Sequence, residues 1–249
     1  MINYLANPAR FLRFARYFSP FCALLALFTL SAGVIYGLII SPQDYQQGHS
    51  VRILYVHVPA AWNALLAYVL MAVASFVSFV WRHPLADNGA RAFAIPGAVF
   101  TFLALFTGAV WGKISWGTWW QWDGRMTSVL ILFFIYIAYI MIWNIMGASR
   151  RTSRIAAIFA MVGVINIPII KFSVEWWNSL HQSATLSLPN SPGLPPAMLI
   201  PLALMFVGYT ALLGWVVTRT VSQDIRQSEN RRKTITPSAT IDISEIDDV

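Results

Sequence analysis

The chain has 249 residues, 57% of them hydrophobic and only 11% charged, with a mean hydropathy of +0.61; soluble proteins average about 25% charged residues, so a water-soluble domain is excluded. The single cysteine, Cys22, cannot form an intrachain disulfide, and without a C-x-x-C pair the chain can neither build a zinc domain nor tether a cofactor covalently. A net charge of +7 suggests nucleic acid only where basic residues share one solvated face, whereas in a membrane protein they record orientation.

A helix needs about 20 uncharged residues to cross the hydrocarbon layer. Six segments qualify in chain order: 20–40, 58–81, 93–111, 127–146, 155–170 and 197–217, none of which contains Asp, Glu, Lys or Arg. The fifth is short and spans only if Lys171 snorkels and residues 172–174 continue it. The first follows Arg10, Arg13 and Arg16 like a signal peptide, but it is too long for an h-region and lacks an A-x-A cleavage site, so it reads as a retained span.

Sorting the 17 basic residues by loop places 13 on one side and 4 (Arg52, Lys113, Arg125, Lys171) on the other. Cytoplasmic loops gather Lys and Arg, so the expected architecture is all-α, a polytopic membrane protein with six transmembrane helices and both termini inside. The expected organisation is a basic cytoplasmic arm over 1–19, a membrane domain over 20–217 with a Trp-rich loop at 111–126, and a cytoplasmic tail over 218–249. The tail is polar and ends acidic, which predicts disorder. No motif is shared between the two three-span halves, against an inverted-repeat transporter.

Of the 11 tryptophans, eight (Trp62, Trp111, Trp116, Trp119, Trp120, Trp122, Trp176 and Trp177) fall at or beyond the outer boundary. An aromatic belt explains single indoles at both interfaces. It does not explain five within Trp111 to Trp122 on one side, which suit a platform for a flat apolar ligand. His57 opens the second span (YVHVPAAW), and His181 follows Trp176 and Trp177 (VEWWNSLHQ), four residues after Trp177 and on its face if the segment is helical. Two imidazoles on separate segments flanking an indole-rich loop suit a metalloporphyrin, with nitrogen ligands on the iron and aromatic surface along the ring. His49 and His83 lack such neighbours and read as solvated.

Porphyrin propionates favour basic partners, and Arg125, Lys113 and Arg52 are the candidates. Arg125 can equally pair with Asp123 to cap the fourth span. Glu175, beside the Trp pair, can orient an imidazole or cap a helix, and the cap is the simpler role. The charge-free spans argue against a midplane ion or proton pathway, so a secondary transporter is the weaker reading. A haem-dependent oxidoreductase conducting electrons across the membrane needs histidines on both sides, and His83 alone lies inside.

The run WGKISWGTWWQWDGRMTS, with YVHVPAA before it and VEWWNSLHQ after it in order, resembles the tryptophan-rich "WWD" signature of haem-handling membrane proteins. The similarity is to the six-span C-type member of the system I cytochrome c maturation apparatus, over residues 20–217. The resemblance implies presentation of haem b, held non-covalently and transiently, at the outer face of the bacterial inner membrane, and its loading onto a periplasmic haem chaperone. It implies His57 and His181 as axial ligands of the haem iron. Trp111, Trp116, Trp119, Trp120, Trp122 and Asp123 would form the surface facing haem and chaperone, with Trp176, Trp177 and Glu175 behind them. It further implies an ABC transporter's ATPase and membrane subunits and a small single-span membrane protein as partners, with lipid around the spans and no nucleic acid. In that role the chain is a template for chemistry on a partner rather than an enzyme.

Overall fold

The computed structural model describes residues 7–83, 85–177, 181 and 194–235. All its extended elements are helices: α1 Pro8–Val34, α2 Leu54–Trp81, α3 Ala86–Trp116, α4 Gly124–Met146, α5 Arg150–Gly163, α6 Asn166–Trp176 and α7 Pro196–Ile235. A π-helical turn, Ile35–Ile40, prolongs α1, and a 3-10 turn, His49–Ile53, leads into α2. Among the described residues six helical stretches are long and apolar enough to cross a membrane, the fifth being α5 and α6 together, Arg150–Trp176.

Polar residues set the helix starts. Asn7 caps α1 through Ala9 N, Asp123 caps α4 through Met126 N and Ser149 caps α5 through Thr152 N, each satisfying a backbone donor with no partner inside the helix. Gly117 ends α3 at φ 77, a left-handed conformation costly for any residue with a Cβ. That turn releases the chain into the loop of residues 117–123.

The α2–α3 pair forms the centre. It packs against α7 on one side, with Ala60, Ala64 and Ala67 of α2 beside Ala92, Phe100 and Ala104 of α3 and Leu202, Met205 and Leu213 of α7. On the other side it meets α4 and α5 through Tyr68, Met71, Ala90, Ala94, Leu132, Tyr136 and Ala156. Lipid is as apolar as the helices, so close packing of small residues and interhelical hydrogen bonds replace a hydrophobic driving force. Tyr136 Oη donates to the Ala64 carbonyl at 2.8 Å, and Tyr68 Oη to that of Ala160 at 3.0 Å. At the end remote from the 117–123 loop, both oxygens of Asp87 accept serine hydroxyls, from Ser78 of α2 and Ser153 of α5, tying three helices.

Three expectations change. The basic arm is not separate from the first span, because α1 is continuous from Pro8 with Pro20 inside it. The tail is not disordered from residue 218. Helix α7 runs on to Ile235, and Val217, Val221 and Ile225 are buried with Phe11 and Leu12 of α1 packed on the same cluster. That i, i+4, i+8 apolar stripe lies among Arg219, Asp224 and Arg226, which hide it in a composition reading. Residues 236–249 fall outside the described residues. Finally, Trp177 has extended backbone (φ −127, ψ 149) and ends α6, so Trp177 and His181 do not share a helical face.

Candidate functional site

The site lies at the end of the bundle where α2 begins and α3 ends. His57 is the fourth residue of α2, half-buried, and its Nδ1 is 3.0 Å from Thr107 Oγ1 of α3. The Thr107 hydroxyl spends its proton on the Leu103 carbonyl at 2.7 Å. Its oxygen therefore accepts from His57, placing the imidazole proton on Nδ1 and the lone pair on Nε2. Gly108 makes this possible: a Cβ there would lie 3.0 Å from His57 Cε1.

His181 reaches the same tautomer by a different partner. Its Nδ1 donates to Asp123 Oδ2 at 2.8 Å, and the Asp123 side chain is 3% exposed. The other carboxylate oxygen accepts Met126 N–H at 2.7 Å, so the cap of α4 also holds the acid that orients the histidine. Burial holds His181 below the ordinary imidazole range, against the Asp123 carboxylate, which pulls upward. The ring is neutral at pH 7, and its contact with Asp123 is a charge-assisted hydrogen bond rather than an ion pair.

Each imidazole stands nearly perpendicular to an indole ring. Trp111 lies 5.8 Å from His57 at 81°, and Trp116 lies 4.9 Å from His181 at 71°. Both tryptophans are on α3, so the helical part of the Trp-rich segment is longer and the loop shorter than residues 111–126 suggest. In the loop, Trp120 and Trp122 pack edge to face at 5.4 Å. Trp119 and Trp122 are 58% and 77% exposed, while Trp120 Nε1 is buried with no acceptor among the described residues. The loop is braced by Thr118 Oγ1 donating to the Trp120 carbonyl and by Lys113 Nζ donating to that of Gly117. Trp176 and Trp177 form another edge-to-face pair, and the Trp177 ring lies over the Gly124 backbone, next to Asp123.

The basic candidates divide. Arg125 lies within electrostatic reach of both imidazoles, Asp123 and Glu175, and its Nε is buried without an acceptor among the described residues. Arg52 instead uses its guanidinium on the carbonyls of Leu38 and Ser41, at 2.7 and 2.9 Å, closing the end of the π-helical turn. Lys113 is spent on Gly117. Outside the site, His49 pairs with Gln43 and His83 accepts Leu85 N–H.

Sequence reasoning misses Thr107, Gly108 and Gln47. Gln47 Oε1 accepts the Trp111 indole N–H at 2.9 Å. The readable signal is Thr-Gly inside an apolar run, with Thr107 four residues before Trp111, a hydroxyl and a gap in a span whose one other hydroxyl, Thr101, lies deeper. His57 and His181 do converge, each lying within the other's electrostatic reach.

A multi-pass helical membrane protein with two tautomer-fixed imidazoles and an indole collar at one end of its bundle is the class that this fold and site define. The family model described as Heme exporter protein C matches residues 1–236. The chain is 42% identical over 231 residues to the Heme exporter protein C of Escherichia coli strain K12, covering 93% of each. It is 47% identical over 208 residues to that of Bradyrhizobium diazoefficiens, covering 84% of this chain and 79% of the relative, and 36% identical over 217 residues to that of Paracoccus denitrificans. The chain belongs to the heme exporter protein C family.

Proposed function

We propose that this protein handles haem b in cytochrome c biogenesis, holding it non-covalently and transiently at the periplasmic face of the bacterial inner membrane and loading it onto a periplasmic haem chaperone. The observation that carries the reading is the pair His57 and His181. Both are oriented through Nδ1 so that Nε2 carries the lone pair, the arrangement that haem ligation by imidazole requires. Haem is cargo here rather than a resident cofactor. The residues suit it: two neutral nitrogen donors, indole surface beside each, and the cationic Arg125 within electrostatic reach of both.

In this role the chain binds, orients and shields. The imidazoles fix the iron, Trp111 and Trp116 exclude water beside them, and exposed Trp119 and Trp122 offer apolar surface to the chaperone. Arg125 is the best placed partner for a propionate; Lys113 and Arg52 are supplementary donors whose present acceptors are backbone carbonyls. Trp176, Trp177 and Glu175 back the site, with Trp177 beside Gly124, Trp176 packed on Trp177 and Glu175 near Arg125. The distribution of 13 basic residues against 4 supports an orientation with both termini in the cytoplasm and the site outside. In this orientation the N-terminal turns of α1 and the C-terminal part of α7 continue their spans on the cytoplasmic side. ABC transporter subunits and a small single-span protein complete the assembly.

The test is the absorption spectrum of purified full-length protein loaded with ferric haem. A six-coordinate low-spin spectrum is expected. His57→Ala and His181→Ala should each abolish it, with partial recovery on adding imidazole; low-spin spectra unchanged in both variants would overturn the ligand assignment.

A further inference from the structure

The two imidazoles have unequal partners. His181 Nδ1 donates to a carboxylate that is 3% exposed and is immobilised through its other oxygen at the N-terminus of α4. His57 Nδ1 donates to the neutral Thr107 hydroxyl at the longer distance of 3.0 Å, against 2.8 Å. Hydrogen bonding to a carboxylate pushes electron density into the ring and raises the basicity of the opposite nitrogen; a hydroxyl does so far less. Arg125 is within electrostatic reach of both rings, so it bears on both and does not create the difference.

We infer that the site is built with one strong and one labile iron ligand: Asp123 makes His181 the ligand that keeps haem, and His57, backed by the neutral groups of Thr107 and the Ala104 backbone rather than by a carboxylate, is the one that leaves during transfer. This rests on the haem-ligation reading above. In the exchange, the iron–Nε2 bond to His57 breaks and the imidazole keeps its lone pair. A lone-pair donor side chain of the acceptor protein then forms the replacing bond, and no electron changes hands. Asp123 and Thr107 are positioning residues, acting on the iron through the imidazoles. Local packing does not separate the two rings, since His57 fits closely against Gly108 beside Trp111 and His181 lies beside Trp116; the difference lies in what backs each Nδ1.

The test uses full-length protein in detergent, loaded with haem. Asp123→Asn preserves the cap, because the amide oxygen still accepts Met126 N–H, but it turns a donor-only NH2 toward His181 Nδ1 and so removes both the acceptor and the charge behind that ring. Haem dissociation should then speed up by about 10- to 100-fold, and the ferric/ferrous potential should move positive. Thr107→Val should leave the potential near wild type and haem retention within about threefold, while cyanide binds the ferric iron faster. The ferrous His57→Ala protein should hold five-coordinate haem with the raised iron–histidine stretching frequency of a carboxylate-backed imidazole, and His181→Ala should show the lower frequency of a neutral partner. Equal frequencies in these two variants, equal haem loss from them, or Asp123→Asn with wild-type potential and retention would each overturn the inference. If neither histidine variant alters the low-spin spectrum, the ligation reading itself fails. The stretching frequency of His57→Ala answers the question with Asp123 intact, so it holds even if Asp123→Asn misfolds.

Discussion

The indole N–H of Trp111 and the side-chain carbonyl of Gln47 meet at 2.9 Å, fastening the segment before α2 to the last turns of α3 directly beside His57. The segment itself is wound on Asp44, whose Oδ1 accepts Gln46 N–H and Gln47 N–H at 2.9 and 2.8 Å. Gln47→Ala should therefore loosen one wall of the site without touching a ligand. A hydrogen bond of this kind contributes about 1 kcal/mol, so haem affinity should fall roughly fivefold. Haem titration together with faster amide exchange over residues 41–53 checks it; unchanged affinity would show that the segment plays no part in holding haem.

Gly108→Ala tests the clearance for His57. The added methyl would sit 3.0 Å from His57 Cε1, tighter than normal contact, and the ring must tilt away from Thr107. Overpacking costs about 1–3 kcal/mol. The expected result is a weakened low-spin haem spectrum with helix content and thermal unfolding close to wild type.

The extension of α7 should be a stability element. Ile225 is 4% exposed within the cluster that contains Val217 and Val221. Truncating a buried isoleucine to alanine costs about 2–5 kcal/mol. Ile225→Ala should lower the thermal midpoint in detergent, and Arg232→Ala, an exposed position on the same helix, should not. Equal midpoints for the two variants would mean that the extension does not contribute to stability.

The proposed orientation can be read chemically, because Cys22 is the only cysteine and is buried. On a Cys22→Ser background, Trp122→Cys should react with a membrane-impermeant maleimide in intact cells. Arg226→Cys should react only after permeabilisation. The reverse pattern would invert the topology.

Much of the architecture was legible in residues 1–249 taken as text. Crossing a membrane depends on the summed transfer energy of about 20 neighbouring side chains, and each of the six expected segments falls within a helical stretch. Boundaries were less legible. Pro8–Val34 begins twelve residues before the expected span because Asn7 caps it, and the helical continuation to Ile235 depends on burying Val221 and Ile225 against α1, a contact that composition does not report. The break between Gly163 and Asn166 does carry a mark, Gly163 at the end of α5 and Pro168 in the first turn of α6, but hydropathy alone runs straight through it.

The site divides along the same line. One-sided tryptophans and the two histidines could be picked out from residue type and place in the chain, since both are local facts. Their partners could not. His57 meets Thr107 across 50 residues, His181 meets Asp123 across 58 and Trp111 meets Gln47 across 64. A hydrogen bond forms only within about 3 Å and a narrow range of angles, so which side chains pair depends on how each helix is rotated and how closely its neighbours approach. Sequence by itself determined that the chain lies in a membrane and which residue types gather at one end. Tertiary structure alone decided that one histidine is backed by a buried carboxylate and the other by a hydroxyl, because insertion sums local composition while donor strength is set by a single directional contact.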